Sequence, residues 1–264
     1  MKAMLTRPSP GHPGHKRSGA WRLATLRRDA WREALPCVVL LAALAAVLGA
    51  LDALGPWFHL KSLLAFSAGF ALVLAGLAAH APNQRFGPAN RVTLARLALI
   101  SVLAAAVGET MDDILAWSVA VVAAIAALLD AIDGPLARRS GQSSAFGARF
   151  DMETDAMLVL VLSLLVLQFG KAGAWVLAAG LMRYLFVLAA RPWPWLARDL
   201  PPSTRRKTVC VQQIVALILC LAPAVAPPWS QALAAASLIM LATSFAIDTA
   251  WLMQRRHLPP ETIR

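Results

Sequence analysis

The chain reads as an all-α, polytopic membrane helix bundle, and three observations predict it. Of its 264 residues 59% are hydrophobic and only 15% charged, with mean hydropathy +0.62, against about 25% charged residues in an ordinary soluble domain. Apolar segments near the roughly 20 residues needed to cross a bilayer fall at about 34–54, 62–80, 92–108, 114–131, 152–169, 172–190, 208–226 and 232–253, which predicts eight helices. Charge is distributed unequally between the loops. With the N-terminus inside, the outer loops carry only Lys61 and Lys171 together with the acids Glu109, Asp112 and Asp113, Arg183 sits within a helix, and the remaining Lys and Arg fall inside, as the positive-inside rule requires.

Taken in order, residues 1–33 form a basic cytoplasmic arm rich in Pro, Gly, His and Arg. Its last part, Trp21 to Trp31, has the composition of a basic surface helix or of a solvated topogenic tail. The charged stretch is too long, and the apolar segment behind it too long, for a cleaved signal peptide. Residues 34–81 hold the first two spanning helices. Pro82, Asn83, Gly87 and Pro88 then interrupt the apolar pattern and mark a boundary, with Arg85, Arg91 and Arg96 in or beside the segment leading into the third helix. Pro192-Trp193-Pro194-Trp195 inside and Pro227-Pro228-Trp229 outside read as interfacial belts that end helices. Residues 255–264 form a short cytoplasmic tail.

Composition also excludes function classes. The net charge of +11 describes an inner surface facing anionic headgroups; the basic residues are scattered at helix ends and form no nucleic-acid module. Cys37, Cys210 and Cys220 are isolated, and His12, His15, His59, His80 and His257 are scattered, so neither disulfides nor a soft-metal site is indicated. No P-loop, nucleophile elbow or dinucleotide fingerprint appears.

The chemistry is concentrated between the fourth and fifth apolar segments, in Asp130-x2-Asp133-Gly134-x2-Ala137-Arg138-x8-Gly147-x3-Asp151-x3-Asp155. Asp130 and Asp133 are spaced i,i+3 and Asp151 and Asp155 i,i+4, so each pair shares a helix face. If the intervening loop folds the helices into a hairpin, the pairs face each other. Four crowded carboxylates repel unless cations neutralise them. Hard oxygen donors suit Mg2+ or Mn2+, and two such ions would balance four aspartates, the arrangement that clamps both oxygens of a phosphoryl transfer. Gly134 and Gly147 leave room for a flat base or a pyrophosphate against the backbone.

These residues resemble the signature of the CDP-alcohol phosphatidyltransferases, D-x2-D-G-x2-A-R-x8-G-x3-D-x3-D, at every fixed position. Upstream, Asn90-x2-Thr93-x2-Arg96 is similar to the N-x2-T-x2-R segment that opens the family's first core helix. Downstream, Lys207-Thr208 followed by Gln212 is loosely similar to a basic K-T plus Gln element, the Gln standing one residue late. The resemblance implies a six-helix core over 82–254, with 34–81 as two additional N-terminal transmembrane helices. It implies CDP-diacylglycerol or a related CDP-lipid as donor, an alcohol as acceptor, and release of CMP. A homodimer in a bacterial inner membrane, with both termini and the active site cytoplasmic, is the accompanying expectation.

Carried over by position, the resemblance makes Asp130, Asp133 and Asp151 ligands of one Mg2+ and Asp130, Asp151 and Asp155 ligands of a second. Asp155 becomes the base for the acceptor alcohol. Gly134, Ala137 and Gly147 would line the cytidine pocket, with Arg138, Asn90, Thr93 and Arg96 as further nucleotide contacts. Bland roles stand beside these: Arg138 and Arg139 as topogenic charges, Arg149 with Glu153 as a surface pair, and Asn90, Thr93 and Arg96 as helix-helix glue. For a phosphorylated acceptor the candidates are Arg183, Arg205, Arg206 and Lys207; the alternative is positive-inside decoration, with Arg183 paired to Asp248 or snorkelling. Amino-alcohol acceptors stay open. Two other classes are carried: a cation transporter with an acidic site, which gives no reason for the fixed glycines or Ala137-Arg138, and a non-catalytic CDP-lipid-binding protein.

Overall fold

In the computed structural model the predicted segments become eight α-helices, with no strand among the described residues. Residues 14–51, 54–80, 86–110, 112–140, 144–198, 200–201 and 203–256 are described, without the side chains of 14–22, 79–80 and 133–140. The helices are α1 (Gly14–Leu51), α2 (Pro56–Gly76), α3 (Pro88–Ala105), α4 (Asp113–Ser140), α5 (Ala145–Gln168), α6 (Leu177–Ala189), α7 (Thr204–Leu221) and α8 (Trp229–Gln254).

Several helices outrun the apolar segments that announced them. Helix α1 begins at Gly14, so Trp21 to Trp31 continues directly into the first span. Helix α2 starts at Pro56 and takes in Lys61, expected in a loop, while α7 starts at Thr204 and carries Arg205, Arg206 and Lys207 on its first turn. Lys and Arg are good helix formers, and a helix emerging from an apolar layer has no reason to unwind where its sequence turns basic.

Among the described residues four helices are long and apolar enough to cross a bilayer: α1 over Leu23–Leu51, α2, α4 over Asp113–Ile132, and α8. The other four are short or charged. Helix α6 has 13 residues, α7 opens on its basic triplet, α3 carries Arg91 and Arg96, and α5 carries Arg149, Asp151, Glu153 and Asp155 in its first half. Of these charges only Arg96 is buried, where it pairs with aspartates, whereas Arg91, Arg149 and Glu153 are exposed near the starts of their helices.

Helix α3 is the central element. It packs against α1 and α2 on one side and α4 and α5 on the other, which buries twelve of its eighteen residues. Gly87 opens it with φ 86°, a conformation that costs glycine little, and Pro88 at the first helical position supplies the preset φ. The hairpin α1–α2 is tied to this core at both ends. The Phe86 N–H donates to Asp29 Oδ2 at 2.9 Å, and Arg91 pairs with Glu33 at 2.8 Å. At the opposite end Lys61 pairs with Glu109 and donates to the Val107 carbonyl, while Gln168 Nε2 donates to the Ala106 and Glu109 carbonyls. Lys171, expected to be a loop charge, is buried and donates to the carbonyls of Ala222, Pro223 and Val225 just past the end of α7, where a cation offsets the helix dipole.

Helix α6 lies on α5 through Gly180, where an added Cβ would stand 2.5 Å from Leu160 Cα. That neighbour is backbone and cannot rotate away. Gly180→Ala is therefore expected to push α6 off α5 at a cost of about 1–3 kcal/mol, read as a fall of several degrees in the thermal midpoint of the detergent-solubilised protein; an unchanged midpoint would contradict this packing.

Candidate metal centre

The functional side chains are brought together at the end of the bundle where α4 finishes and α3 and α5 begin. Asp130 lies in the C-terminal half of α4, while Asp151 and Asp155 occupy successive turns of α5. The i,i+4 spacing on α5 presents both carboxylates to one side. Local features fix the start of that helix. Ser144 caps it, its Oγ accepting from the Gly147 N–H at 3.0 Å, which satisfies one of the donors that every helix N-terminus leaves open. Phe86, Phe146 and Phe150 form a row of tilted rings, the successive centroids 6.5 and 5.9 Å apart, and anchor the first turns of α5 beside the entry to α3.

Carboxylate oxygens of Asp130, Asp151 and Asp155 lie within 4.8 Å of one another. Ligands around one Mg2+ sit about 2.0–2.1 Å from the ion, so opposed ligands are about 4.2 Å apart. A few tenths of an ångström of closure would bring the trio to that spacing, and the donor set is entirely hard oxygen. The residues fit a divalent cation of the Mg2+ or Mn2+ kind.

Arg96 of α3 enters the same cluster. Its side chain is fully buried, with Nη1 2.7 Å from Asp130 Oδ1 and 2.7 Å from Asp151 Oδ1, and Nη2 paired with Asp155 Oδ1. Asp130 and Asp155 are about one-fifth exposed and Asp151 two-fifths, so the cluster has a covered floor, formed by Arg96, and a mouth open at Asp151. Asn90 and Thr93 stand about two turns and one turn before Arg96 and are buried as well. Asn90 donates to the Phe86 carbonyl, and Thr93 Oγ1 donates to the Ala89 carbonyl at 3.1 Å. The expected shared face of Asn90, Thr93 and Arg96 thus meets α5, with Asn90 against Gly147 and Arg96 against the two aspartates.

Gly147 marks a close approach: a Cβ there would lie 3.0 Å from Asn90 Oδ1. Asp133, Gly134, Ala137 and Arg138 continue α4 through its last turns, and their side chains lie outside the described residues; Arg139 does as well.

The basic residues considered for an acceptor are held elsewhere. Arg183 of α6 donates to Glu153 Oε1 at 2.7 Å, so Glu153 pairs across helices and not with Arg149, and Asp248 is not the partner of Arg183. Arg205 donates to the carbonyl and hydroxyl of Ser244 at 2.8 and 2.7 Å and pairs with Asp248 of α8. Arg206 reaches Asp248 at 3.4 Å and donates to the Pro201 carbonyl. Lys207 is exposed. One residue passed over in the sequence stands nearer the cluster: Cys210 of α7 is within electrostatic reach of Asp155, Asp130, Asp151 and Arg96. It lies one turn beyond Arg206 and Lys207, between Lys207-Thr208 and Gln212, and that basic element was the only sequence signal for it.

A family model described as CDP-alcohol phosphatidyltransferase matches residues 86–247. No curated protein and no solved structure matches the chain.

Proposed function

Because the chain belongs to the CDP-alcohol phosphatidyltransferase family, an integral-membrane family dependent on divalent metal that transfers a phosphatidyl group from a CDP-alcohol, we propose a specific reaction for it. CDP-diacylglycerol, or a related CDP-lipid, plus an alcohol gives a phosphatidyl alcohol plus CMP, at a metal centre built from Asp130, Asp133, Asp151 and Asp155. The observation that carries the reading is the convergence of Asp130, Asp151 and Asp155 from two helices to within 4.8 Å, at the residues that the matching signature holds fixed.

A pair of Mg2+ or Mn2+ ions bound there would neutralise the pyrophosphate and stabilise the departing CMP. The chain's own groups do the rest. Asp155 takes the acceptor's hydroxyl proton as the acceptor oxygen bonds to the lipid-side phosphorus; the bond from that phosphorus to the bridging oxygen breaks, and CMP leaves with the electron pair. Gly134, Ala137 and Gly147 line the cytidine pocket, with Gly147 packed against Asn90, Arg138 pairs with a phosphate oxygen, and Asn90 and Thr93 close the pocket from α3. Helix α7 supplies the acceptor side, with Arg206 and Lys207 one turn from Cys210; Arg205 and Arg183 would join a phosphorylated acceptor only by leaving Asp248 and Glu153.

The family match begins at residue 86, which supports 82–254 as the catalytic core and 34–81 as an added hairpin. The basic starts of α7 and the basic part of α1 gather at the end that holds the aspartates. That supports a site on the cytoplasmic side of the membrane. Arg96 in the floor of the cluster weighs against a cation pathway through it.

The test is reconstituted protein with Mg2+, labelled CDP-diacylglycerol and a panel of free and phosphorylated alcohols. Alcohol-dependent CMP release is expected. Cation flux without CMP would replace the reading with transport, and binding of CDP-lipid without turnover under any acceptor would replace it with a scaffold.

A further inference from the structure

The carboxylates read as metal ligands already hold a cation that belongs to the chain. Arg96 bridges Asp130 and Asp151 through one nitrogen, 2.7 Å from each, and takes Asp155 with the other. One guanidinium charge set against three carboxylates leaves two negative charges among the described groups, which is the charge of one divalent ion. The guanidinium therefore lowers the repulsion enough for the helices to close without metal, yet does not neutralise the cluster. An ion arriving at the same three side chains meets a like charge about one ligand length away, and like charges at that distance oppose each other strongly in a buried setting.

The scaffold decides which part gives way. Helix α3 is fastened at its start to α1, through Asp29 on the Phe86 N–H and Glu33 on Arg91, and it is packed on both sides by neighbouring helices. The helix does not withdraw, so the adjustment falls on the Arg96 side chain. We propose that Arg96 is a tethered counter-cation: it holds the three aspartates together in the metal-free protein, yields at least one of them when a divalent ion enters, and so sets the ion concentration at which the site fills. This rests on the reading of Asp130, Asp151 and Asp155 as metal ligands.

The test uses Mn2+ as the probe, with bound ion counted by electron paramagnetic resonance, and thermal midpoints with and without Mg2+, on the full chain in detergent. Wild type, Arg96→Gln and Arg96→Lys are compared. Arg96→Gln should bind the first Mn2+ about tenfold or more tightly than wild type, melt lower without metal, and gain more from Mg2+. Arg96→Lys keeps the charge on a head that reaches fewer carboxylates; it should shift the same readings in the same direction by a smaller factor, and it carries the test if Arg96→Gln does not fold. Equal or weaker Mn2+ binding in the folded variants would overturn the role given to Arg96 and leave the metal centre standing. Absence of Mn2+ binding in wild type would overturn the metal centre itself, and this proposal with it.

Discussion

Asp151→Asn is expected to abolish turnover, with CMP release falling by about a thousandfold or more and the rise in thermal midpoint on adding Mg2+ disappearing. Asp151 is the most open of the three converging carboxylates, two-fifths exposed at the mouth of the cluster, and the proposed centre makes it a ligand of both ions. A neutral amide oxygen is a poor ligand for a hard cation, and losing electrostatic stabilisation of a transferring phosphoryl group costs factors of a hundred to a thousand per interaction. The fold itself should survive. Arg96 would then face two charged partners in place of three, which reduces the uncompensated negative charge, so the midpoint without metal should hold or rise. That combination separates loss of a ligand from loss of structure: a variant that keeps its Mg2+-dependent rise would remove Asp151 from the centre, and one that melts much lower without metal would make it a structural residue.

What the sequence made legible is local. The i,i+3 and i,i+4 spacing placed acidic pairs on helix faces, and the fold brings Asp130 to Asp151 and Asp155. The face shared by Asn90, Thr93 and Arg96 was legible for the same reason, because helical periodicity needs only one segment. Its target was not. That Arg96 meets three aspartates depends on which helices adjoin α3, and no spacing within α3 carries that information. The same limit applies to Glu153, which has Arg149 one turn away on its own helix and pairs instead with Arg183 of α6.

Charges at helix ends were misplaced for a related reason. The positive-inside rule counts Lys61 and Lys171 as loop residues, but Lys61 lies in α2 bonded to the turn after α3, and Lys171 is buried against the carbonyls that follow α7. Each satisfies backbone groups that a helix terminus leaves open. The apolar count behaved similarly: it found the eight helices of the described residues, yet among them only four meet the length and apolarity of a span, since α3 and α5 give up apolarity to the site that they build.

Asp155→Asn should part binding from chemistry. CMP release is expected to fall at least a hundredfold, the usual worth of a positioned general base, while the affinity for CDP-lipid stays within a few fold. Asp155 sits one turn deeper on α5 than Asp151, about one-fifth exposed and paired with Arg96. In the proposed reaction it is the carboxylate that takes the acceptor's proton. An asparagine there keeps the shape and one oxygen but takes up no proton, so the loss should appear in kcat and leave KM for CDP-lipid nearly unchanged. Equal losses in turnover and nucleotide affinity would reduce Asp155 to a ligand. In that case the proton would have to leave through water or a phosphate oxygen, and Arg96 would be holding a metal ligand in place of the base.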